Sequence, residues 1–147
     1  MKLARTIRNG LVIAAVLVGG VAVAKEGVTD PQVKARQELM SVVAANTKTL
    51  GEMAGGKIPF DATAAATAKA ALAAAAAEVP AKFEPQATDP KTEAKAEIWT
   101  SWDDFVAKSE ALLKAAEAVD TTSPETIGAG MGAIGGACKD CHTSYRM

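Results

Sequence analysis

The feature that most constrains this chain is the pentapeptide Cys138-Lys139-Asp140-Cys141-His142, a C-x-x-C-H pattern near the C-terminal end. On a helix its two cysteines are three residues apart and the histidine follows the first by four, so all three side chains project from one face. This pattern attaches a c-type haem covalently. We therefore predict that Cys138 and Cys141 hold one haem c and that His142, the only histidine, is a ligand of its iron.

A C-x-x-C pair also occurs in thiol oxidoreductases and in zinc sites. A redox dithiol opens a helix after a strand in a βαβ unit, whereas this pair follows the Gly/Ala-rich stretch 127–137. A structural zinc needs about four ligands, and the whole chain offers two cysteines and one histidine. Haem attachment is the preferred prediction, and a thiol oxidoreductase that uses Cys138 and Cys141 directly is an alternative.

The first 24 residues have the organisation of a secretory signal peptide. A basic segment precedes the apolar stretch 11–23, and Ala22-Val23-Ala24 is an A-x-A cleavage signal. The apolar stretch is shorter than the ~20 residues that a membrane-spanning helix needs. We predict that residues 1–24 are removed, that 25–147 form a single domain in the periplasm, and that no stable membrane insertion remains after cleavage.

Charge and composition exclude several function classes. The chain has 16 lysines and arginines against 17 acidic residues, and the cations of the signal peptide leave with it. The acidic chain that remains is not expected to bind nucleic acid. The sequence also contains no acid/base pair in a predicted pocket and no nucleophile with a partner base, so we predict no enzymatic activity. The expected partner is a redox protein that the sequence does not identify.

Apolar residues recur at helical spacing through the rest of the chain, and no stretch alternates with the period of two typical of a strand. The pairs Asp30-Pro31 and Ser123-Pro124 each combine a capping side chain with a proline at the first helical position. Pro80 predicts the end of the second helix. The prediction is an all-α chain with helices over 31 to about 53, 61 to about 78, 92 to 119, and from 124 onward.

Two of these helices carry continuous apolar stripes. The third has the alternating four- and three-residue spacing of a bundle seam, and the stripe of the fourth ends on the haem motif. With one longer loop marked by prolines 80, 85 and 90, the pattern predicts an antiparallel four-helix bundle that holds the covalent haem near its C-terminal helix. The stripes are Ile98, Trp102, Phe105, Ser109, Leu112, Ala116 and Val119, then Ile127, Met131, Ile134, Cys138, Cys141 and Tyr145.

The export signal, the four helices, the C-terminal segment from Cys138 to Arg146 and the helix segment Lys34-Ala35-Arg36-Gln37-Glu38-Leu39-Met40 together resemble a class II cytochrome c, of the cytochrome c prime superfamily. The resemblance covers essentially the whole chain after residue 24. It implies that Arg36 approaches a haem propionate and that Arg146 lies along His142 or the haem edge. It places Met40 opposite the iron on the distal side, and it implies a monomer or an antiparallel homodimer.

The role of Met40 decides between two functions, with Met53 as the competing methionine. If the Met40 sulfur binds iron, the centre is six-coordinate and low-spin, as suits an electron carrier. If Met40 only packs over the haem, the centre is five-coordinate and high-spin and binds NO or CO. We predict ligation, the low-spin His/Met branch and one-electron transfer; a gas-binding cytochrome and the thiol oxidoreductase are the alternatives.

Overall fold

The computed structural model describes residues 23–147, so nearly all of the predicted signal peptide lies outside the described residues. Four long helices and one short helix make up this part of the chain. None of the described helices combines the length and the apolar character needed to cross a membrane. The helices are α1 (Pro31–Ala54), α2 (Ala62–Phe83), α3 (Glu97–Thr100), α4 (Trp102–Ala118) and α5 (Pro124–Tyr145).

The long helices form the predicted antiparallel four-helix bundle. Helices α1 and α4 each pack against both α2 and α5, so the four surround a common core. Neighbouring helices run in opposite directions: Met131 of α5 packs beside Gly51 of α1, and Gly128, earlier in α5, packs beside Ala54, later in α1. Large side chains from all four helices fill the centre, among them Leu50, Leu72, Phe105, Ile127 and Ile134.

The predicted starts of α1 and α5 are confirmed by their caps. The Asp30 carboxylate accepts hydrogen bonds from the backbone N–H groups of Gln32 and Val33, at 2.8 and 3.0 Å, ahead of a helix whose first residue is proline. Ser123 and Thr126 form a reciprocal capping box at the start of α5. These side chains satisfy backbone donors that have no partner within the helix, and they fix where α1 and α5 begin.

The predicted end of the second helix is wrong. Helix α2 continues through Pro80 to Phe83, and the N–H of Glu84 bonds to the Pro80 carbonyl at 2.9 Å. Pro80 lacks the N–H that would bond one turn back, which normally ends a helix. Here Val79 and Phe83 are both buried, and the packing of this last turn in the core outweighs the missing bond.

The predicted third helix, 92 to 119, is also corrected. Residues 92–96 are not helical, α3 is a single turn, and Ser101 interrupts the helix with φ −126° and ψ 44° before α4 begins. The seam itself is confirmed: Ile98, Phe105 and Leu112 are buried on the same side of α3 and α4.

The backbone of residues 93–95 is hydrogen-bonded to the C-terminal end of the chain. Ala94 and Arg146 form an isolated antiparallel bridge. The Lys95 N–H donates to the Tyr145 carbonyl at 3.0 Å, and the Met147 N–H donates to the Glu93 carbonyl at 2.9 Å. Because these backbone groups pair with the last residue of α5 and with Met147 after it, they are not available for a helix.

Candidate functional site

A cavity of about 660 Å³ lies between the helices at the end of the bundle where α5 finishes. Its volume is within the ~300–1,000 Å³ typical of cofactor sites. All six residues that the sequence singled out line its wall: Arg36, Met40, Cys138, Cys141, His142 and Arg146. The structure therefore brings together residues from α1 and from the C-terminal helix that are about a hundred positions apart in sequence.

Both cysteines are free thiols that are partly buried against this cavity. Burial raises the pKa of Cys138, and it raises the pKa of Cys141 to about 11. At neutral pH both are therefore protonated. Because the thiolate is the reactive form in thiol–disulfide exchange, this environment does not favour a redox dithiol.

His142 follows on the same face of α5 and also lines the cavity. Partial burial of the imidazole lowers the pKa of His142, and the nearby positive charge of Arg146 lowers it further. The neutral form of the ring is thus favoured near pH 7. Neutral imidazole is the form that binds a metal ion.

Met40 lies on the opposite wall at the level of His142. The contact of Met131 with Gly51 fixes the register between α1 and α5. Met40 is eleven residues before Gly51, and His142 is eleven residues after Met131. Since the two helices are antiparallel and rise equally per residue, the same register sets Met40 across from His142.

No other methionine of the described chain lines the cavity. Met53, the predicted competitor, is buried beside a separate cleft formed with the turn after α1. Met131 packs at Gly51, and Met147 is 70% exposed. Met40 is therefore the one described thioether positioned to reach a group bound between α1 and α5.

Arg36 is almost fully buried, with 3% of its surface exposed. Its Nε donates to the Lys82 carbonyl at 3.1 Å, and its Nη2 donates to the Pro85 carbonyl. The guanidinium lies between the rings of Phe83 and Trp99, 5.2 and 5.1 Å from their centroids. Burial lowers the pKa of Arg36, but an arginine stays protonated at neutral pH.

The third nitrogen of this guanidinium shows whether the cavity residues fit a haem. Nη1 of Arg36 is buried and has no hydrogen-bond partner among the described residues, although it belongs to a cavity-lining side chain. A buried, charged donor without a partner is costly. A haem propionate would supply the missing anionic acceptor, so the residues present fit the predicted group.

Arg146 lies at the rim of the cavity in an ion pair that the sequence did not predict. Its Nη2 and Nε lie 2.7 and 2.9 Å from Oε2 of Glu93. The Nζ of Lys25 binds Oε1 of the same carboxylate. Glu93 and Lys25 sit in irregular segments far from Arg146 in sequence, and no motif marks them.

The remaining wall is largely apolar, and the sequence did not assign its residues to the site. Val43 of α1, Val79 and Phe83 of α2 and Leu112 of α4 line it. Thr47 is the exception, because its Oγ1 is buried without a partner among the described residues. Only the helical stripe of each segment could have indicated these residues, since packing positions carry no motif.

Comparison with known proteins places this chain in a family of cytochromes. A family model described as Cytochrome C' matches residues 31–146. The chain is similar to the cytochrome c' of Pararhodospirillum photometricum, with 36% identity over 122 residues, covering 78% of this chain and 94% of that protein.

Solved structures of cytochromes c' have the same fold as this chain. A cytochrome c' from Rhodobacter sphaeroides superposes with a TM-score of 0.72 and 32% identity, covering 79% of this chain and 95% of that one. A nitric oxide complex of a cytochrome c' variant from Alcaligenes xylosoxidans has a TM-score of 0.70 and 26% identity, covering 78% and 93% of the two chains.

Proposed function

This chain belongs to the cytochrome c' family, whose members carry one covalent haem c, and from that premise we propose that it is a periplasmic carrier of single electrons. Cys138 and Cys141 provide the thioether bonds, and His142 is the proximal ligand. The bound haem iron supplies a one-electron couple whose potential depends on its axial ligands and surroundings.

Support for the proximal set comes from its common helix face and its cavity. The two thiols and the imidazole line one wall, and both thiols are kept protonated by burial. On the opposite side Arg36 offers a buried guanidinium nitrogen to a propionate. The chain's own residues thus hold the group from two directions and shield it from water with an apolar lining.

The electron-transfer proposal rests on the position of Met40 across from His142, which follows from the register between α1 and α5. We propose that the Met40 sulfur is the sixth ligand. A His/Met pair raises the potential, because the soft thioether favours ferrous iron. With His142 and Met40 both bound to the iron, reduction would need little rearrangement of these two side chains.

A second candidate function is reversible binding of NO or CO. The related structure from Alcaligenes xylosoxidans is a nitric oxide complex, and that similarity favours this candidate. In this case Met40 would pack beside the haem without binding iron, and the iron would be free to bind the diatomic ligand. The two candidates share every residue and differ only in the bond to the Met40 sulfur.

Met40→Leu separates them, because leucine keeps the volume and removes the sulfur. We expect the wild-type protein to have low-spin spectra with the weak far-red sulfur-to-iron band, and to take up CO slowly. Met40→Leu should become high-spin, bind CO rapidly and have a lower midpoint potential. Met53→Leu, an equally conservative change in the separate cleft, is the control and should leave all three unchanged.

A wild-type protein that is already high-spin, takes up CO rapidly and responds to neither substitution would establish the gas-binding candidate instead. Covalent attachment is tested separately. The haem should stay with the chain through acid acetone extraction, and loss of the haem in that step would contradict the proposed c-type site.

A further inference from the structure

We propose that Glu93 is a positioning residue of the haem site, which holds the charge of Arg146 beside His142. This inference rests on the haem site proposed above. It assigns a function to a loop carboxylate that lies outside every motif of the chain.

The side-chain contacts of Glu93 occupy both of its oxygens. Oε2 accepts from two nitrogens of Arg146, at 2.7 and 2.9 Å, and Oε1 accepts from the Lys25 ammonium. A carboxylate held from both sides has little freedom to turn. Hydrogen bonds from these cations also lower the pKa of Glu93, so it stays ionised at neutral pH.

The backbone holds the same two residues in register. The Glu93 carbonyl accepts from the Met147 N–H at 2.9 Å, and Ala94 bridges Arg146. Arg146 is the cap residue of α5, and its own N–H donates to the His142 carbonyl at 3.0 Å. The ion pair therefore joins a fixed loop to the residue that ends the helix carrying His142.

The pair lies at the turn of α5 that carries the imidazole, because Arg146 follows His142 by one helical turn and bonds to its carbonyl. Arg146, Glu93 and His142 all line the cavity. A cation kept at this position favours the ferrous over the ferric state, because reduction adds an electron nearby. If Arg146 were free to turn into solvent, water would screen most of that effect.

A double-mutant cycle on the midpoint potential tests the proposal. In the wild-type background, Arg146→Gln should lower the ferrous-to-ferric ratio at a fixed ambient potential by about three- to tenfold, tenfold being about 59 mV for one electron. In the Glu93→Gln background the same substitution should change the ratio by less than half as much, since Arg146 is already released. Equal effects in the two backgrounds would overturn the proposal.

Two further variants serve as a conservative replacement and as a control. Glu93→Asp keeps the charge. In this background Arg146→Gln should again lower the ferrous-to-ferric ratio, by more than it does in the Glu93→Gln background. Glu97→Gln removes an exposed carboxylate at the start of α3 and should leave the effect of Arg146→Gln unchanged. If Arg146→Gln had a smaller effect on this ratio in the Glu97→Gln background as well, general surface charge and not Glu93 would control the effect of Arg146. That result would also overturn the proposal.

Hydrogen exchange in the haem-free chain gives a readout that does not depend on the cofactor. The amides of Arg146 and Met147 should exchange faster in Glu93→Gln than in wild type or Glu97→Gln, because the side-chain pair no longer holds this segment. Unchanged protection would contradict the proposal. Failure of haem attachment would contradict the proposed function, while the exchange measurement would still decide the role of Glu93.

Discussion

The Tyr145 hydroxyl donates to Oδ2 of Asp104 at 2.6 Å, which joins the last turn of α5 to the first turn of α4. This hydrogen bond is the main reason that the pKa of Tyr145 is raised to about 12. The ring is buried, lines the cavity and meets Phe105 edge to face at 5.4 Å. The bond thus fixes an aromatic wall of the site one turn after His142.

Tyr145 is the only tyrosine, so its ionisation can be followed directly by ultraviolet titration. We expect a midpoint near 12, returning toward about 10 in Asp104→Asn. The unfolded chain ionises at about 10, so the folded state should lose stability as the pH rises from about 10 to 12. Asp103→Asn, in the same helical turn, is the control. A wild-type midpoint near 10 would contradict this account.

Asp89 should control stability in acid. Its Oδ2 accepts from the Thr29 and Asp30 N–H groups at 2.8 and 3.0 Å, and Oδ1 accepts from the Lys91 N–H at 2.7 Å. These backbone bonds lower the pKa of Asp89 to about 2. The stability that they add is complete above the unfolded value of about 3.9 and is lost as the pH falls toward 2.

Asp89→Asn should therefore lower the thermal unfolding midpoint at pH 7 and flatten its fall in acid, because an amide nitrogen would face backbone donors. Thermal unfolding between pH 2 and 7 measures both effects. Glu26→Gln, an exposed change in the same N-terminal segment, should have the wild-type profile. Identical profiles for Asp89→Asn and wild type would show that the carboxylate does not join these segments.

Arg36→Lys should destabilise the haem-bound protein although it keeps the charge. Lysine lacks the planar fork that bonds two carbonyls and stacks between Phe83 and Trp99. We expect a loss of about 2 kcal/mol in the free energy of unfolding, measured with denaturant. Arg146→Lys, at a half-exposed ion pair, should cost less than about 1 kcal/mol. Equal losses would contradict a special role for the buried guanidinium.

Thr47→Val should stabilise the haem-free protein. Valine has nearly the shape of threonine and removes a buried hydroxyl that has no partner among the described residues. The expected gain in unfolding free energy is about 1 kcal/mol. Thr49, whose hydroxyl donates to the Ala45 carbonyl at 3.0 Å, provides the control substitution Thr49→Val, with a change within about 0.5 kcal/mol. A loss of stability in Thr47→Val would indicate that its hydroxyl is satisfied in solution.

Short sequence patterns were sufficient to predict those features of the fold that depend only on neighbouring residues. Asp30 and Ser123 begin their helices as predicted, because a cap depends on its own neighbours. The C-x-x-C-H pattern is equally local, and its two cysteines and its histidine line the cavity. Met40 and Arg36, which also line the cavity, were predicted only through the longer resemblance, since one methionine or arginine on a helix carries no local signal.

The errors lie where tertiary contacts overrule local preference. Pro80 is a strong helix breaker, yet burial of Phe83 keeps α2 intact beyond it. Residues 92–96 have helical composition, yet their backbone pairs with the segment around Arg146. Neither outcome is encoded within a few residues. The ion pair of Glu93 with Arg146 was not predicted for the same physical reason.

The haem cavity has one wall from α1 and the other from α5, the first and the last of the described helices. Contacts between segments so distant along the chain form late in folding, because closing a long loop costs entropy. In the folded chain the thiols of Cys138 and Cys141 are partly buried, so we expect the enzymes that attach haem to reach them before α5 docks. The expected order of biogenesis is therefore attachment first and closure second, so that the bundle completes its core around a group it already carries.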